Sequence, residues 1–381
     1  MMQIPSSILK KRQEQFCFQL KQAGLDQMLI SQPVNVTYLT GFTGDSSYAV
    51  ASPNKIVLVS DRRFEIQIAK ECPELEAIIR GPNMTTHQAV ANYLVSAKPK
   101  SIGIEQRHLT VALYEFFRQE VADANWVITL NWLENQRAIK DEWEIQIIRQ
   151  SIAIAEEAFL QFRKELKPEH SERDAVSLLE AAIRSRDGDG SAFPIIIGMG
   201  DHSALPHAVP TSRKLQEVPF LLVDWGASYQ LYCSDLTRVF LSPFRNSRSD
   251  ENFPEHLENK LRNIYNVVLE AQNRAIAAIR PGVTAKEVDD AARGWIDQQG
   301  FGMMFNHGLG HGIGLQIHEA PDIRASSKDV LQQGMIVTME PGIYLEGFGG
   351  VRIEDDILVT PDGHEVLTKL PKDWEEVHSA H

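Results

Sequence analysis

The sequence predicts two domains: a small α/β domain over residues 1–133 and a larger α+β domain over residues 137–381. Three observations predict them. A chain of 381 residues is long for a single core. Helices and strands alternate through its first third, as when helices cover a sheet. The rest sets runs of helix between separate antiparallel hairpins, the pattern of α+β rather than of a doubly wound sheet.

Residues 7–23 place Ile8, Phe16 and Leu20 on one side of an amphipathic helix. Met28-Leu29-Ile30 is a short apolar run expected as a buried strand. Asn35 to Phe42, Tyr48 to Ala51 and Ile56 to Ser60 follow as strands or turns, punctuated by Gly41 and Gly44. A helix near 86–97, a strand over 101–104, a helix near 109–121 and a strand near 126–130 complete the first domain, which holds no evident catalytic cluster. Residues 131–137 are the expected joint. A long helix is predicted over roughly 140–165, where Trp143, Ile147, Ile154 and Phe159 recur at helical spacing and mark a core stripe. Ser171, with Asp174 three residues on, starts a helix over about 171–186. Another spans about 256–280 and stops at Pro281-Gly282. Thr284 with Glu287 starts the last, over about 284–299, closed by Gly300. Residues 243–258 are polar and charged, and are expected as a surface loop or insertion.

Composition narrows the function. The chain is 43% hydrophobic and 23% charged, ordinary for a globular protein. A formal net charge of −13 argues against nucleic-acid and anionic-membrane partners, which both want a basic surface. Cys17, Cys72 and Cys233 are too few and too scattered for a disulfide framework, so a reducing, cytoplasmic compartment is expected. Met1 to Gln15 is polar and basic with no apolar run behind it, so no signal peptide is expected, and no stretch of about 18 apolar residues is present to span a bilayer.

Five side chains carry the chemistry: Asp224, Asp235, His311, Glu340 and Glu354. Leu221 to Ala227 and Tyr232 to Phe240 read as two strands with a short stretch between them. Paired as a hairpin centred on Tyr229-Gln230, they place Asp224 directly opposite Asp235 on one face. Two carboxylates there repel unless one is protonated or a cation lies between them. Glu340 and Glu354 repeat the arrangement around Pro341 to Ile353, whose midpoint is Gly347. His311 sits among Gly308, Gly310, Gly312 and Gly314, so its backbone must approach something closely or take positive φ. A lone histidine in such a loop is more often a core histidine. Beside two carboxylate pairs it is better read as a ligand. Four carboxylates, one imidazole and no thiolate suit Mn²⁺, with Co²⁺, Zn²⁺ or Fe²⁺ as alternatives. Five ligands serve two metals if carboxylates bridge, and such a pair, about 3.5–4 Å apart, acidifies a water and polarises a carbonyl. The implied reaction is metal-assisted hydrolysis. His318 lies seven residues beyond His311. On an extended segment that odd separation puts the two on opposite faces, so direct co-ligation is not implied, and a role in supporting a ligand or stabilising an oxyanion is the better one. His207 and His307 are further candidates.

These segments together resemble a known family. Val223-Asp224-Trp225-Gly226-Ala227, Ser234-Asp235-Leu236-Thr237-Arg238, the glycine-flanked His311, His318-Glu319-Ala320-Pro321, Met339-Glu340-Pro341-Gly342-Ile343-Tyr344 and Val351-Arg352-Ile353-Glu354-Asp355-Asp356 resemble, in that order, the pita-bread metallopeptidases. Within these the match is to Xaa-Pro aminopeptidases and Xaa-Pro dipeptidases (prolidases), over about residues 137–371. Asn35 to Gly44 and Ser60 to Phe64 resemble the creatinase-type N-terminal domain. The resemblance implies a C-terminal pita-bread fold of pseudo-twofold α+β halves, a homodimer, and hydrolysis of the bond preceding proline in a peptide or dipeptide with proline second. It implies that Asp224 chelates one metal, that Asp235 and Glu354 bridge both, and that His311 and Glu340 bind the second, with Glu340 also the general base. His207 and His318 would stabilise the tetrahedral intermediate or hold the scissile carbonyl, and His307 and Arg352 would shape or charge the proline side of the pocket. Such chemistry suits a tertiary amide that lacks an N–H, because a metal on the carbonyl needs no substrate donor.

The sequence departs from these relatives at Gly198 to Ser203, where Pro-Asn more often precedes the Ser, at the longer 243–258 segment, and at Arg63-Phe64, where Gly-Tyr is common. A metal-free creatinase-like hydrolase is disfavoured because no ligand is replaced. A non-enzymatic binding module is disfavoured because no ligand is lost and no basic extension is visible. The large N-terminal domain speaks against a methionine aminopeptidase.

Overall fold

The computed structural model describes residues 4–244 and 254–379. The chain divides into two units, Met1–Arg137 and Ala138–His381.

The first unit runs α1 (Ser6–Gln22), β1 (Gln27–Ile30), α2 (Pro33–Thr40), β2 (Tyr48–Ala51), β3 (Ile56–Ser60), α3 (Glu65–Glu71), β4 (Glu76–Ile79), α4 (Thr86–Ala97), β5 (Ser101–Glu105), α5 (Val111–Glu120), β6 (Asn125–Thr129) and α6 (Trp132–Ala138), the last crossing the division. Its strands form one mixed sheet in the order β4-β3-β2-β1-β5-β6. Val90, Leu94 and Phe117 pack α4 and α5 on Leu29, Val50 and Ile102. One segment differs from expectation. Asn35 to Thr40 is helix, not strand or turn: Pro33 sits in its first turn and Gly41, at φ +76°, closes it. Every residue from Asn35 to Thr40 is buried, so no polar face revealed the helical period.

The second unit begins with α7 (Glu142–Glu165) and α8 (Glu172–Arg184). The strands β7 (Gly190–Ser191), β8 (Ile196–Met199), β9 (Phe220–Trp225), β10 (Ala227–Tyr229), β11 (Tyr232–Cys233) and β12 (Leu236–Leu241) follow. After α9 (Glu255–Ala278) and α10 (Ala285–Gln298) come β13 (Gly310–Gly312), β14 (Glu319–Ile323), β15 (Ile336–Met339), β16 (Gly342–Leu345), β17 (Gly349–Arg352), β18 (Asp355–Thr360), β19 (Gly363–Val366) and α11 (Trp374–Ser379). The capping boxes expected at Ser171/Asp174 and Thr284/Glu287 form, and a third starts α7 at Asp141/Glu144. Two cores result. In one, α7 and α8 pack on β8, β9 and β12. In the other, α9 and α10 pack on β15 and β18. The buried stripe of α7 is rotated from the expected one: Ile154 and Phe159 are buried, but Trp143 and Ile147 are half-buried and Ile148 takes the inner place. Residues 245–253, the middle of the 243–258 segment, lie outside the described residues; its last residues, from Glu255, are helix rather than loop.

Candidate metal centre

The first hairpin carries Asp224 and Asp235, in a register two residues from the one expected. Asp224 lies opposite Thr237, and Tyr229 opposite Tyr232. The turn is Gln230-Leu231, both at positive φ (48° and 69°), as a two-residue hairpin turn requires. Neither is the Asn or Gly that advertises such a turn. A shift of two keeps every side chain on its face, so Asp224 and Asp235 still share a cavity although they are not directly paired. Gly226 is needed here, because a Cβ on it would meet Ser234 O at 1.7 Å. Trp225 anchors the strand: its ring stacks on Phe159 at 4.2 Å and its indole N–H donates to Ala155 O at 3.0 Å.

The second hairpin follows the expected register. Gly342 pairs with Arg352 and Met339 with Asp355, about a turn at Gly347 (φ +72°). Glu340 and Glu354 therefore face each other where β15 gives way to β16 and β17 to β18. His311 sits in β13. None of its four neighbouring glycines has positive φ; close approach explains them. A Cβ on Gly310 would lie 2.0 Å from Thr338 O, and one on Gly312 2.1 Å from Ala320 O. His311 and His318 are not on one extended strand, because the chain turns between β13 and β14. Their rings meet edge to face at 4.3 Å.

All five acidic and imidazole candidates line one cavity of about 650 Å³, together with His207, His307, His318 and Arg352. Donor atoms of Asp235, His311 and Glu354 lie within 4.8 Å of one another. His311 Nε2 is 3.6 Å from Asp235 Oδ2 and 3.4 Å from Glu340 Oε1. His311 Nδ1 faces Gly312 O at 3.2 Å. With the proton there, the Nε2 lone pair points at the carboxylates, the tautomer a metal ligand needs. Asp224 Oδ1 is buried with no hydrogen-bond partner. A buried carboxylate oxygen left bare fits a cation.

Electrostatics agree. Burial, then the charges of its carboxylate neighbours, lift Asp235 well above its ordinary range, and Glu354 likewise. Burial pushes Glu340 up to about 8, and raises Asp224 although Arg352 opposes it. Burial lowers His311 to about 3 and His307 to about 4. A divalent cation would bind the neutral imidazole and favour the ionised form of the carboxylates around it.

Arg352 is 3% exposed, and its hydrogen bonds go to protein: Nη2 to Asp224 Oδ2, Nε to Thr237 Oγ1 at 3.1 Å, and Nη1 to Tyr344 OH at 2.7 Å. His307 joins this chain through Tyr344 OH at 3.0 Å, with its Nδ1 on Gly308 O at 2.7 Å. His207 and His318 stand exposed on the cavity wall. Glu319, within the same motif as His318, is committed to Lys140 at 2.8 Å.

Several contributors carried no assigned role from sequence. Thr237 donates to Glu354 Oε2 at 2.6 Å. Arg238, 1% exposed, donates to Glu354 O at 2.6 Å and to Asp355 Oδ1 at 2.8 Å. Asp356 Oδ2 accepts the Asp235 N–H at 3.1 Å. Each stands inside a quoted motif, beside a ligand, which was the available signal. Gln272 had none: it lies mid-helix, far from every motif.

Known proteins match this architecture. The pattern of metallopeptidase family M24 covers residues 146–361, and that of the creatinase/prolidase N-terminal domain covers residues 12–139. An uncharacterized peptidase of Bacillus subtilis is 37% identical over 92% of this chain and 96% of its own. Among solved structures, an Xaa-Pro dipeptidase from Bacillus anthracis is 35% identical with a TM-score of 0.87, covering 96% of this chain and 99% of that one. An X-Pro aminopeptidase from Thermotoga maritima is 32% identical with a TM-score of 0.82, covering 93% and 99%. The fold is thus a creatinase-type N-terminal domain followed by a pita-bread domain.

Proposed function

The chain belongs to metallopeptidase family M24, behind a creatinase/prolidase N-terminal domain, and from that premise we propose that it hydrolyses the peptide bond preceding proline in short peptides. It is a metal-dependent peptidase by family. The observation that supports this chemistry is one cavity in which Asp224, Asp235, Glu340 and Glu354 converge with the lone pair of His311. In our reading Asp224 would hold one divalent ion and His311 and Glu340 the other, with Asp235 and Glu354 available to both. Mn²⁺ suits the oxygen-rich set best, with Co²⁺, Zn²⁺ and Fe²⁺ as alternatives. When bound, the ions supply an acidified water and a Lewis acid for the scissile carbonyl.

The chain's own groups do the rest. Glu340 takes the proton of the attacking water. His207 and His318, on the wall beside the carboxylates, donate to the oxyanion that develops on the carbonyl. Arg352 and Thr237 hold Asp224 and Glu354 in place, and the Tyr344–His307 pair extends that bracing. Phe193, Pro194, Ile195 and Val209 give the cavity an apolar side for the substrate's side chains.

Among the described residues no helix is long and apolar enough to cross a membrane. A cytoplasmic homodimer is part of the proposal. The test is a peptide series, Ala-Pro, Ala-Pro-Ala and longer, with product analysis before and after chelation. Metal-dependent release of the first residue supports the reading, and length dependence sorts dipeptidase from aminopeptidase. Absence of metal-dependent release from every peptide overturns it.

A further inference from the structure

Gln272, in α9, has none of its surface exposed. Its Nε2 donates to Met339 O at 3.0 Å and to Ile353 O at 3.1 Å. These carbonyls belong to the residues immediately before Glu340 and Glu354. Lys372 Nζ donates to Gln272 Oε1 at 2.9 Å and to Asp355 Oδ2 at 2.7 Å, which fixes the end of the amide that faces the strands.

A buried side-chain amide is needed there because the ladder has a gap. The pairs of β15 with β18 and of β16 with β17 follow one continuous register. Val359 N–H donates to Met335 O at 2.8 Å, so 335 and 359 are a bonded pair. Every second pair belongs to the same class, and by that register 341 with 353 would be one of them. Residue 341 is proline and has no N–H to give. Ile353 O is left without its ladder donor, and the Gln272 amide takes that place. On either side of the gap the backbone N–H groups of the ligand glutamates bond outward rather than to each other: Glu340 N–H donates to Leu309 O at 2.9 Å and Glu354 N–H to Thr237 O at 3.2 Å. Between the Met339–Asp355 and Gly342–Arg352 pairs, no strand pairing is found among the described residues.

We propose that Gln272 is a positioning residue that sets the spacing of the Glu340 and Glu354 carboxylates, standing in for the cross-strand bond that Pro341 cannot make. The proposal rests on the reading of those two glutamates as metal ligands. Its test is calorimetric titration of Mn²⁺ into the chelator-stripped full-length protein. The proteins compared are wild type, Gln272→Met, Pro341→Ala and the double variant, each checked for its fold by circular dichroism. Methionine keeps the volume and removes both donors. Gln272→Met is expected to weaken Mn²⁺ binding roughly tenfold or more, as loss of a ligand's supporting partner does. Pro341→Ala returns an N–H opposite Ile353 O, so the double variant is expected to bind more tightly than Gln272→Met alone, a coupling that a merely packed glutamine would not show. Should Gln272→Met not fold, Gln272→Glu keeps the size and the Lys372 contact and is expected to show the same loss. Mn²⁺ affinity within about twofold of wild type in the glutamine variants, or strictly additive effects in the double variant, overturns the proposal. A wild-type protein that binds no Mn²⁺ overturns the metal-site reading itself.

Discussion

A single side chain in this cavity is defined by what its other atoms are doing. His311 offers Nε2 because Nδ1 is engaged by Gly312 O, and Asp224 offers Oδ1 because Arg352 has taken Oδ2. Glu340 is both a proposed ligand and the proposed base, so Glu340→Ala is expected to lower kcat by about 10²–10⁴-fold at saturating Mn²⁺. Steady-state kinetics near the wild-type rate would contradict that assignment. His318 touches the His311 ring but stands exposed on the wall. His318→Ala is expected to keep the bound metal while kcat falls about 10²–10³-fold, as when an oxyanion donor is lost. Metal content by elemental analysis checks this: a lost equivalent would make His318 a ligand.

The glycines matter at the scale of the strand. β13 passes so near β15 that Gly310 has no room for a side chain. Gly310→Ala must push the backbone of Thr338, the residue whose hydroxyl accepts the His311 N–H at 3.1 Å. A loss of about 1–3 kcal/mol is expected from urea unfolding, with weaker metal binding alongside. An unchanged midpoint would show that the strands can part without cost. The first hairpin shows how tolerant the pattern is. Its turn sits one residue further along than a centre at Tyr229-Gln230, yet period-two alternation returns both aspartates to the same cavity.

At the scale of the whole chain, every side chain proposed for the site comes from the unit Ala138–His381. Scanning calorimetry is therefore expected to show Mn²⁺ raising the transition of that unit, by about 2.7 kcal/mol at 100 times the Kd, and leaving that of Met1–Arg137 unmoved. Equal shifts in both would mean that metal binding is shared or that the units unfold as one. Stability also depends on pH in a direction set by the carboxylates. Burial raises all four in the folded chain, Glu340 to about 8. The folded state then holds protons that the unfolded state has released. For the chelated protein this contribution is complete below about pH 4 and is lost as pH rises toward 8. His311 and His307, held neutral by burial, oppose this trend up to about pH 6.5, so the Tm of the chelated protein is expected to fall between about pH 6.5 and 8, while Mn²⁺ increasingly restores it. A chelated Tm that is flat or rises from about pH 6.5 to 8 would contradict the burial of these carboxylates together.

The linear sequence carries the family, the capped helices and the acidic side chains that line one cavity. Those follow from local rules: side-chain period, turn and cap residues, and short motifs whose spacing survives inspection in one dimension. It misjudged Asn35 to Thr40, because a helix buried on every side shows no polar face. It missed the Gln230-Leu231 turn, because neither residue carries the usual turn chemistry. Three-dimensional packing alone showed that Asp224 keeps Oδ1 bare, that His318 meets His311, and that Gln272 bridges two strands far from it in the chain. Hydrogen-bond partners across distant segments are chosen by three-dimensional packing, and a glutamine in mid-helix looks the same in one dimension whether it faces water or a carbonyl that a proline leaves without a donor.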